Sequence, residues 1–455
     1  MHSGSSLPRD ILSAYLVTAA RVLAWIVVTA VVFRTTGKLA FALLALVQST
    51  AGILEYAAIG LSPAIIRLTA EAIRQSPTAS NRTPAVQAVY ANGFAMALLS
   101  ALGGGILLLG FLFLFQGSQT NTNSHGVASE LVLMLGVATL LRLISDAPAA
   151  ALQTSGKISL DNLLLTIHEV IWGVGTALAL LVLGLPWQRA TGGALICASL
   201  VLLIARAILS HRCGSGLFDQ WWRRFSPKLV RRLLVFGAMV VAAQMADYLY
   251  APTDNLLILN LINQATVATY TPAVQIDGGA LLLVGALASV LLPRSALAYA
   301  SGDLPLVRRY YIRGTLATFL LLLVAAPILY LLAPYFFKLW LGDPMAATCA
   351  VLPMMLIHTV VGGSSAVGRS ILLAIGKVRP FTLSVLIAGI ANVVLSYLFV
   401  RYGGMGLPGI VLGTIVAVTA RCAIWMPWYT LRVLNRDLPP TESPILQSLP
   451  PAHLS

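Results

Sequence analysis

The 455-residue chain is 58% hydrophobic and only 10% charged, with 29 Lys and Arg against 15 Asp and Glu for a net charge of +14. An apolar share this far above, and a charged share this far below, those of water-soluble domains excludes a soluble globular protein. The basic surplus falls in short loops between apolar runs, where it reads as a topology signal and not as a nucleic-acid face. The four cysteines, Cys197, Cys213, Cys349 and Cys422, are widely separated and show no C-x-x-C spacing, so neither a metal site nor a cofactor follows from them.

The first ten residues lead into an apolar run, Ile11 to Phe33, that is too long for a signal-peptide core and has no small-residue cleavage pattern behind it. It is expected to remain as the first span. About twenty predominantly apolar residues cross a bilayer core. On that rule twelve spans are expected: Ile11 to Phe33, Leu39 to Ser62, Ala88 to Phe115, Leu131 to Leu152, Leu163 to Gly184, Ala190 to Ser210, Leu233 to Leu261, Ala265 to Leu292, Gly314 to Pro334, Ala346 to Gly368, Pro380 to Val400 and Leu407 to Leu431. The fold class is an all-α integral membrane protein of about twelve helices.

With the N-terminus placed in the cytoplasm, the loops and tails on that side hold 20 of the 29 basic residues, the opposite side holds 5 and the spans hold 4. Cytoplasmic loops retain Lys and Arg, so both termini are expected to be cytoplasmic. The most basic loop, His211 to Arg232, divides the chain into an N-terminal lobe at 1–210 and a C-terminal lobe at 233–431, with a polar tail at 432–455. Within it Leu217, Trp221, Trp222 and Phe225 lie near one side of an expected interfacial helix, which Pro227 ends. An ordinary topology-fixing linker is an equally good reading of the same residues.

Three echoes in register link the halves. Gly156-Lys157 after the fourth span returns as Gly376-Lys377 after the tenth, Ala205-Arg206 in the sixth as Ala420-Arg421 in the twelfth, and Pro63 after the second as Pro293 after the eighth. Six crossings separate equivalents, so the copies share one orientation and form two six-helix lobes related by a parallel pseudo-twofold. Neither Gly-Lys pair has the spacing of a phosphate-cradling loop, and no nucleophile elbow or metalloprotease motif occurs. Transport therefore fits better than catalysis.

The informative residues are the charges inside spans, which cost free energy unless they face a bundle interior or a wet cavity. Arg21 is the sole charge of the first span and has no acid within one turn, so it snorkels, meets Glu55 or Asp146 from a neighbour, or lines an anion-receiving cavity. Arg142 and Asp146 stand four apart on one helical face, a spacing that suits mutual neutralisation. Between Gln244 and Asp303 two long apolar runs carry Asp247, Asp254 and Asp277, with Pro252 and Pro272 expected to break them. Asp247, Tyr250 and Asp254 form an acidic, aromatic stripe that reads either as a cation, proton or sugar site or as hydrogen bonding to a neighbouring helix. Arg206 and Arg421 are expected to snorkel toward headgroups. His358 reads as a packed histidine, and Gly103 to Gly105 with Gly362 and Gly363 as points of close helix approach.

Several stretches resemble the polysaccharide flippases of the Wzx type within the MATE/MurJ-like exporter superfamily. They are Ala58-Ile-Gly-Leu-Ser-Pro-Ala-Ile-Ile-Arg67-Leu-Thr-Ala-Glu71, Asp254-Asn-Leu-Leu-Ile with Val267-Ala-Thr-Tyr270, Leu292-Pro293 with Ser301-Gly302-Asp303, Leu339-Trp-Leu-Gly342, and Leu372-Leu-Ala-Ile-Gly376-Lys377. The resemblance implies lobes that open alternately to each side of a bacterial cytoplasmic membrane. It implies as cargo a polyprenyl-diphosphate-linked oligosaccharide, with membrane lipids and a polysaccharide polymerase as partners. It makes Arg21 and Arg142, with Tyr250 and Tyr270, the candidate substrate contacts, and Glu55, Asp247, Asp254 and Asp277 the candidate ion-coupling acids. Lipid II flippases differ in having fourteen spans. Multidrug exporters of the MATE kind share the twelve-span plan but often carry an acid where this chain has Arg21, and they are the alternative, with a non-transporting scaffold for a synthase complex as a third.

Overall fold

The computed structural model describes residues 7–36, 40, 44, 60–75, 79–117, 122–216, 221–246, 250–341 and 345–435. The chain divides into two compact units, one within Met1–Ala238 and one within Met239–Glu442. All regular elements among the described residues are helical.

The first unit contains α1 (Leu7–Thr36), α2 (Leu61–Gln75), α3 (Ala79–Gly117), α4 (Thr122–Thr154), α5 (Ile158–Leu181), α6 (Trp187–Arg212) and the start of α7 (Pro227–Ala246). Its core is built where α1 lies on α5 and α4 lies on α6, around Val28, Val32, Leu108, Leu131, Leu135 and Trp172. Trp25 and Trp172 stack with centroids 6.1 Å apart. Close approach is clear at Gly173, where an added Cβ would lie 3.0 Å from the Ala24 backbone, whereas Gly103 faces open space and Gly105 makes an ordinary contact with Leu140. The glycines expected at the second close approach, Gly362 and Gly363, do meet Val418 and Leu322 tightly.

The second unit holds α8 (Ala251–Leu261), α9 (Gln264–Ala300), α10 (Leu304–Leu341), α11 (Ala346–Ser364), α12 (Ala366–Ala374), α13 (Val378–Arg401), α14 (Gly406–Thr419), a π-helical turn (Ala420–Trp425) and α15 (Met426–Leu434). The long helix α9 is central and packs on α8, α10, α11 and α12 around Ile276, Phe337, Leu352 and Met355. Exposed Leu316, Leu320, Leu323, Leu331 and Leu332 give α10 an apolar outer face suited to lipid.

Ten helices among the described residues are long and apolar enough to cross a membrane. Ten of the twelve expected spans coincide with them. Most of the expected second span, including Glu55, lies outside the described residues. The expected seventh is two helices, α7 and α8, with Tyr250 in a turn between them. Pro252 stands in the first turn of α8, where a missing N–H is tolerated. Pro272 breaks nothing: α9 runs through it and through Pro293. Of the expected linker helix, the described residues show a 3-10 turn at Trp221–Arg224, and 217–220 lie outside them. Asn92 on α3 holds it, donating to Arg224 O and accepting from Ser226 N–H, both at 2.8 Å.

The Gly-Lys echoes are helix caps. Gly156 and Gly376 have φ of 76° and 80°, the left-handed region that glycine enters without strain. Lys157 N–H reaches Leu152 O at 3.0 Å and Lys377 N–H reaches Leu372 O at 2.8 Å, while each glycine N–H closes the inner bond, to Gln153 O and Leu373 O. This is the same Schellman closure twice over, and it explains a repeated glycine without any phosphate.

Candidate functional site

A polar cluster inside the second unit is assembled from four helices. Asp254, in the first turn of α8, is fully buried. Its Oδ2 accepts from the Tyr270 hydroxyl of α9 at 3.0 Å and the Thr414 hydroxyl of α14 at 2.9 Å, and its Oδ1 accepts from the Asn392 amide of α13 at 2.9 Å. Thr414 Oγ1 also lies 2.9 Å from Asn392 Oδ1, and Ser396 supports Asn392 from one turn further on. One hydroxyl proton serves one acceptor at a time, so Thr414 has two alternative bonds. A buried carboxylate is tolerated in apolar surroundings only when its oxygens are satisfied. Here all three side-chain donors are neutral.

A second acid, Asp277, stands two turns along α9 from Tyr270, about 10 Å on. The Thr359 hydroxyl donates to its Oδ1, and His358 Nδ1 lies 4.0 Å from the same oxygen. His358 is thus half-buried beside a carboxylate and is not the isolated packed histidine that its span suggested. Tyr250 precedes α8, and the guanidinium of Arg421 lies over its ring at 5.4 Å from the centroid.

In the first unit two buried carboxylates, Asp161 and Glu169, are paired with arginines. Arg206 Nε donates to Asp161 Oδ1 at 2.8 Å and Arg206 Nη1 to Ser145 at 2.9 Å, while Gln153 donates to the other Asp161 oxygen at 2.9 Å. The expected snorkelling of Arg206 is therefore wrong. A carboxylate one helix away satisfies it inside the bundle, at 6% and 0% exposure for the two side chains. Arg21, about half exposed, donates from Nε to the buried Glu169 at 3.1 Å, and Glu169 adjoins His168, whose Nε2 lies 3.3 Å from Ser199 Oγ. That acid, Glu169, stands on α5; Glu55 lies outside the described residues. Arg142 and Asp146 lie one turn apart on α4, both half-buried.

The structure thus gathers Asp254 and Tyr270 into one cluster and places Asp277 further along the same helix. Asp247 and Glu55 lie outside the described residues. Sequence reasoning missed Asn392 and Thr414. Their only signal was polarity inside otherwise apolar runs of the last two spans, and the partner of each is more than a hundred residues away.

Comparison with known proteins agrees with this architecture. The fold matches a multidrug resistance MATE family transporter of the MOP superfamily in an outward-facing conformation, with a TM-score of 0.81 at 16% identity over 94% of this chain and 96% of that one. It matches a MATE protein in complex with MaD3S at TM-score 0.78 and 17% identity, with the same coverage of both chains. A MOP superfamily transporter from Pyrococcus furiosus, described as having a binding pocket of reversed polarity, matches at TM-score 0.77 and 16% identity, also over 94% and 96% of the two chains. No curated protein matches the sequence. The sequence profile of the polysaccharide biosynthesis protein family matches residues 7–298. A multi-pass helical chain with a membrane-transporter fold and this profile over most of its length belongs to the polysaccharide biosynthesis protein family.

Proposed function

We propose that this chain flips a polyprenyl-diphosphate-linked oligosaccharide from the cytoplasmic to the outer leaflet of a bacterial cytoplasmic membrane, by alternating access and with both termini cytoplasmic. Family membership and the transporter fold support the reading. So does the 20-to-5 division of basic residues between the two sides. A polysaccharide polymerase that consumes the flipped product is the partner it implies.

One observation carries the coupling step: in the first unit the buried Asp161 and Glu169 are paired with arginines, whereas in the second Asp254 is surrounded by neutral donors. A carboxylate held this way takes up or releases a proton, or exchanges a donor for a cation, without stranding a buried counter-charge. Asp254 is the coupling acid, Tyr270, Asn392 and Thr414 position it, and Asp277 beside His358 is a second station on α9. Tyr270 is buried with its hydroxyl on Asp254, so it serves the acid and not the glycan. Arg21, half exposed with a planar fork suited to phosphate oxygens, is the diphosphate contact, with Arg142 and Tyr250 as further candidates.

The likeness to MATE exporters keeps drug export as the second reading. Deletion of the gene separates them. Loss of surface polysaccharide with accumulation of cytoplasmic lipid-linked glycan is expected, with unchanged susceptibility to cationic drugs. Drug hypersensitivity with normal surface glycan would replace the flippase by the exporter.

A further inference from the structure

The second unit contains a groove that none of the residues discussed for coupling explains. It has a volume of about 790 Å3 and runs between α13 and the last helix, α14 to α15, a size within the range of ordinary ligand sites, about 300–1,000 Å3. The two helices are antiparallel neighbours joined by a short turn. Lys377 at the start of α13 and Arg432 near the end of α15 therefore come to the same end of the groove. Leu383, Ile387, Leu395 and Val416 form its apolar length, and of these Leu383, Ile387 and Val416 are exposed. Among the described residues that line it, three are cationic, Lys377, Arg421 and Arg432, and none is acidic.

The wall between those cations is aromatic. Trp425 and Tyr429 stack at 5.0 Å with 6° between their planes, and Arg432 lies over the Trp428 ring at 5.1 Å. Arg421 and Trp425 both belong to the π-helical turn, whose wider winding carries the lining stripe from Ala417 through Arg421 and Trp425 to Tyr429. Such turns recur at functional sites. Four residues on from Lys157 stands Asp161, the partner of Arg206, and four on from Lys377 stands Phe381. The carboxylate that neutralises the first unit's arginine thus has an apolar residue at the matching place in the second, where Arg421 lines the groove instead.

We propose that this groove is a second station for the prenyl-diphosphate anchor of the cargo, occupied at a different step from the Arg21 contact, with the phosphates at the Lys377 and Arg432 end and the chain along Leu383, Ile387, Leu395 and Val416. The assignment rests on the reading of the cargo as a lipid-linked glycan. Charge complementarity selects this occupant: a diphosphate ester carries more negative charge than a phosphodiester headgroup and suits several cations with no intervening acid. Arg421 lies eleven residues from Arg432, about 16 Å deeper along the helix, and offers the phosphates a second cationic station.

Binding of a long-chain prenyl diphosphate to the purified full chain in lipid nanodiscs tests this, with phosphatidylglycerol as the comparison lipid. Wild-type protein should prefer the prenyl diphosphate by about tenfold or more, and Lys377→Ala with Arg432→Ala should remove that preference. Ser384→Trp, which fills the groove without touching a charge, should also abolish binding, while Lys377→Arg with Arg432→Lys retains it. Each variant is first checked for wild-type membrane level and monodisperse elution. Equal binding of both lipids by the wild type would make the groove an ordinary phospholipid site, and unchanged binding in the charge and filling variants would overturn the assignment. A wild type that flips glycan yet shows no preference for the prenyl diphosphate removes only the groove. A wild type that binds the lipid here yet moves no glycan removes the flippase reading and leaves the groove.

Discussion

Arg206 and Asp161 form an ion pair at 2.8 Å with both side chains buried, linking α6 to the first turn of α5 across forty-five residues of sequence. Ser145 and Gln153 take up the remaining polar groups, so the site is satisfied as a unit. Truncating one partner strands a buried charge, at a cost of about 3–5 kcal/mol, whereas replacing both with apolar residues of similar volume is often neutral. Asp161→Ala is expected to lose folded protein from the membrane and to lower thermal stability in detergent by that margin. The double variant Asp161→Leu, Arg206→Met should recover most of it. A double variant as unstable as the single would mean that the charges do more than satisfy each other.

Asp254→Asn keeps the shape of the second unit's cluster and removes its ability to titrate. Flux measured in proteoliposomes should become insensitive to a proton or sodium gradient while the protein still assembles. Retained gradient dependence would take Asp254 out of the coupling step.

Thr414→Val removes one donor from a buried carboxylate and one of the two hydroxyls at Asn392 Oδ1. The expected destabilisation is about 1–3 kcal/mol, the cost of a buried polar group left unsatisfied. Thr414→Ser, which keeps the hydroxyl, should lie much closer to wild type in a thermal unfolding comparison.

Arg21→Ala alone would leave Glu169 buried beside His168 without its cation, so the informative variant is Arg21→Ala with Glu169→Gln. It is expected to reach normal membrane levels and to lose translocation, read as missing surface polysaccharide. Normal surface polysaccharide at normal protein level would remove Arg21 from substrate handling.

Gly376→Ala and Gly156→Ala force a side chain into the left-handed region at matching caps, costing about 1–2 kcal/mol each. Asn at either position should cost less, since it enters this region more readily. Equal losses for Ala and Asn, measured by thermal unfolding, would argue against the cap as the reason for the glycine.

Much of the architecture is legible in the order of residues alone. The helical membrane class, ten of the spans and the paired Gly-Lys turns depend on the character of neighbouring residues: stretches of about twenty apolar side chains, and a glycine where a helix must turn back. Those are local properties, and local sequence carries them. The choice of Asp254 also came from a local signal, a carboxylate inside an apolar run, whereas Tyr270 entered through the resemblance of its stretch to a known family.

What the chain order did not contain is who meets whom. Arg21 finds Glu169 across 148 residues and Asp254 finds Asn392 across 138, and only helix packing brings such groups within hydrogen-bond distance. The same packing decided that Arg206 is sealed with a carboxylate while its echo, Arg421, lies over an aromatic ring at the edge of a groove. Composition determined that this chain lives in a membrane, because transfer of apolar surface is a sum over residues. Which buried charges meet a carboxylate was settled by tertiary structure, because that depends on distances the sum does not contain.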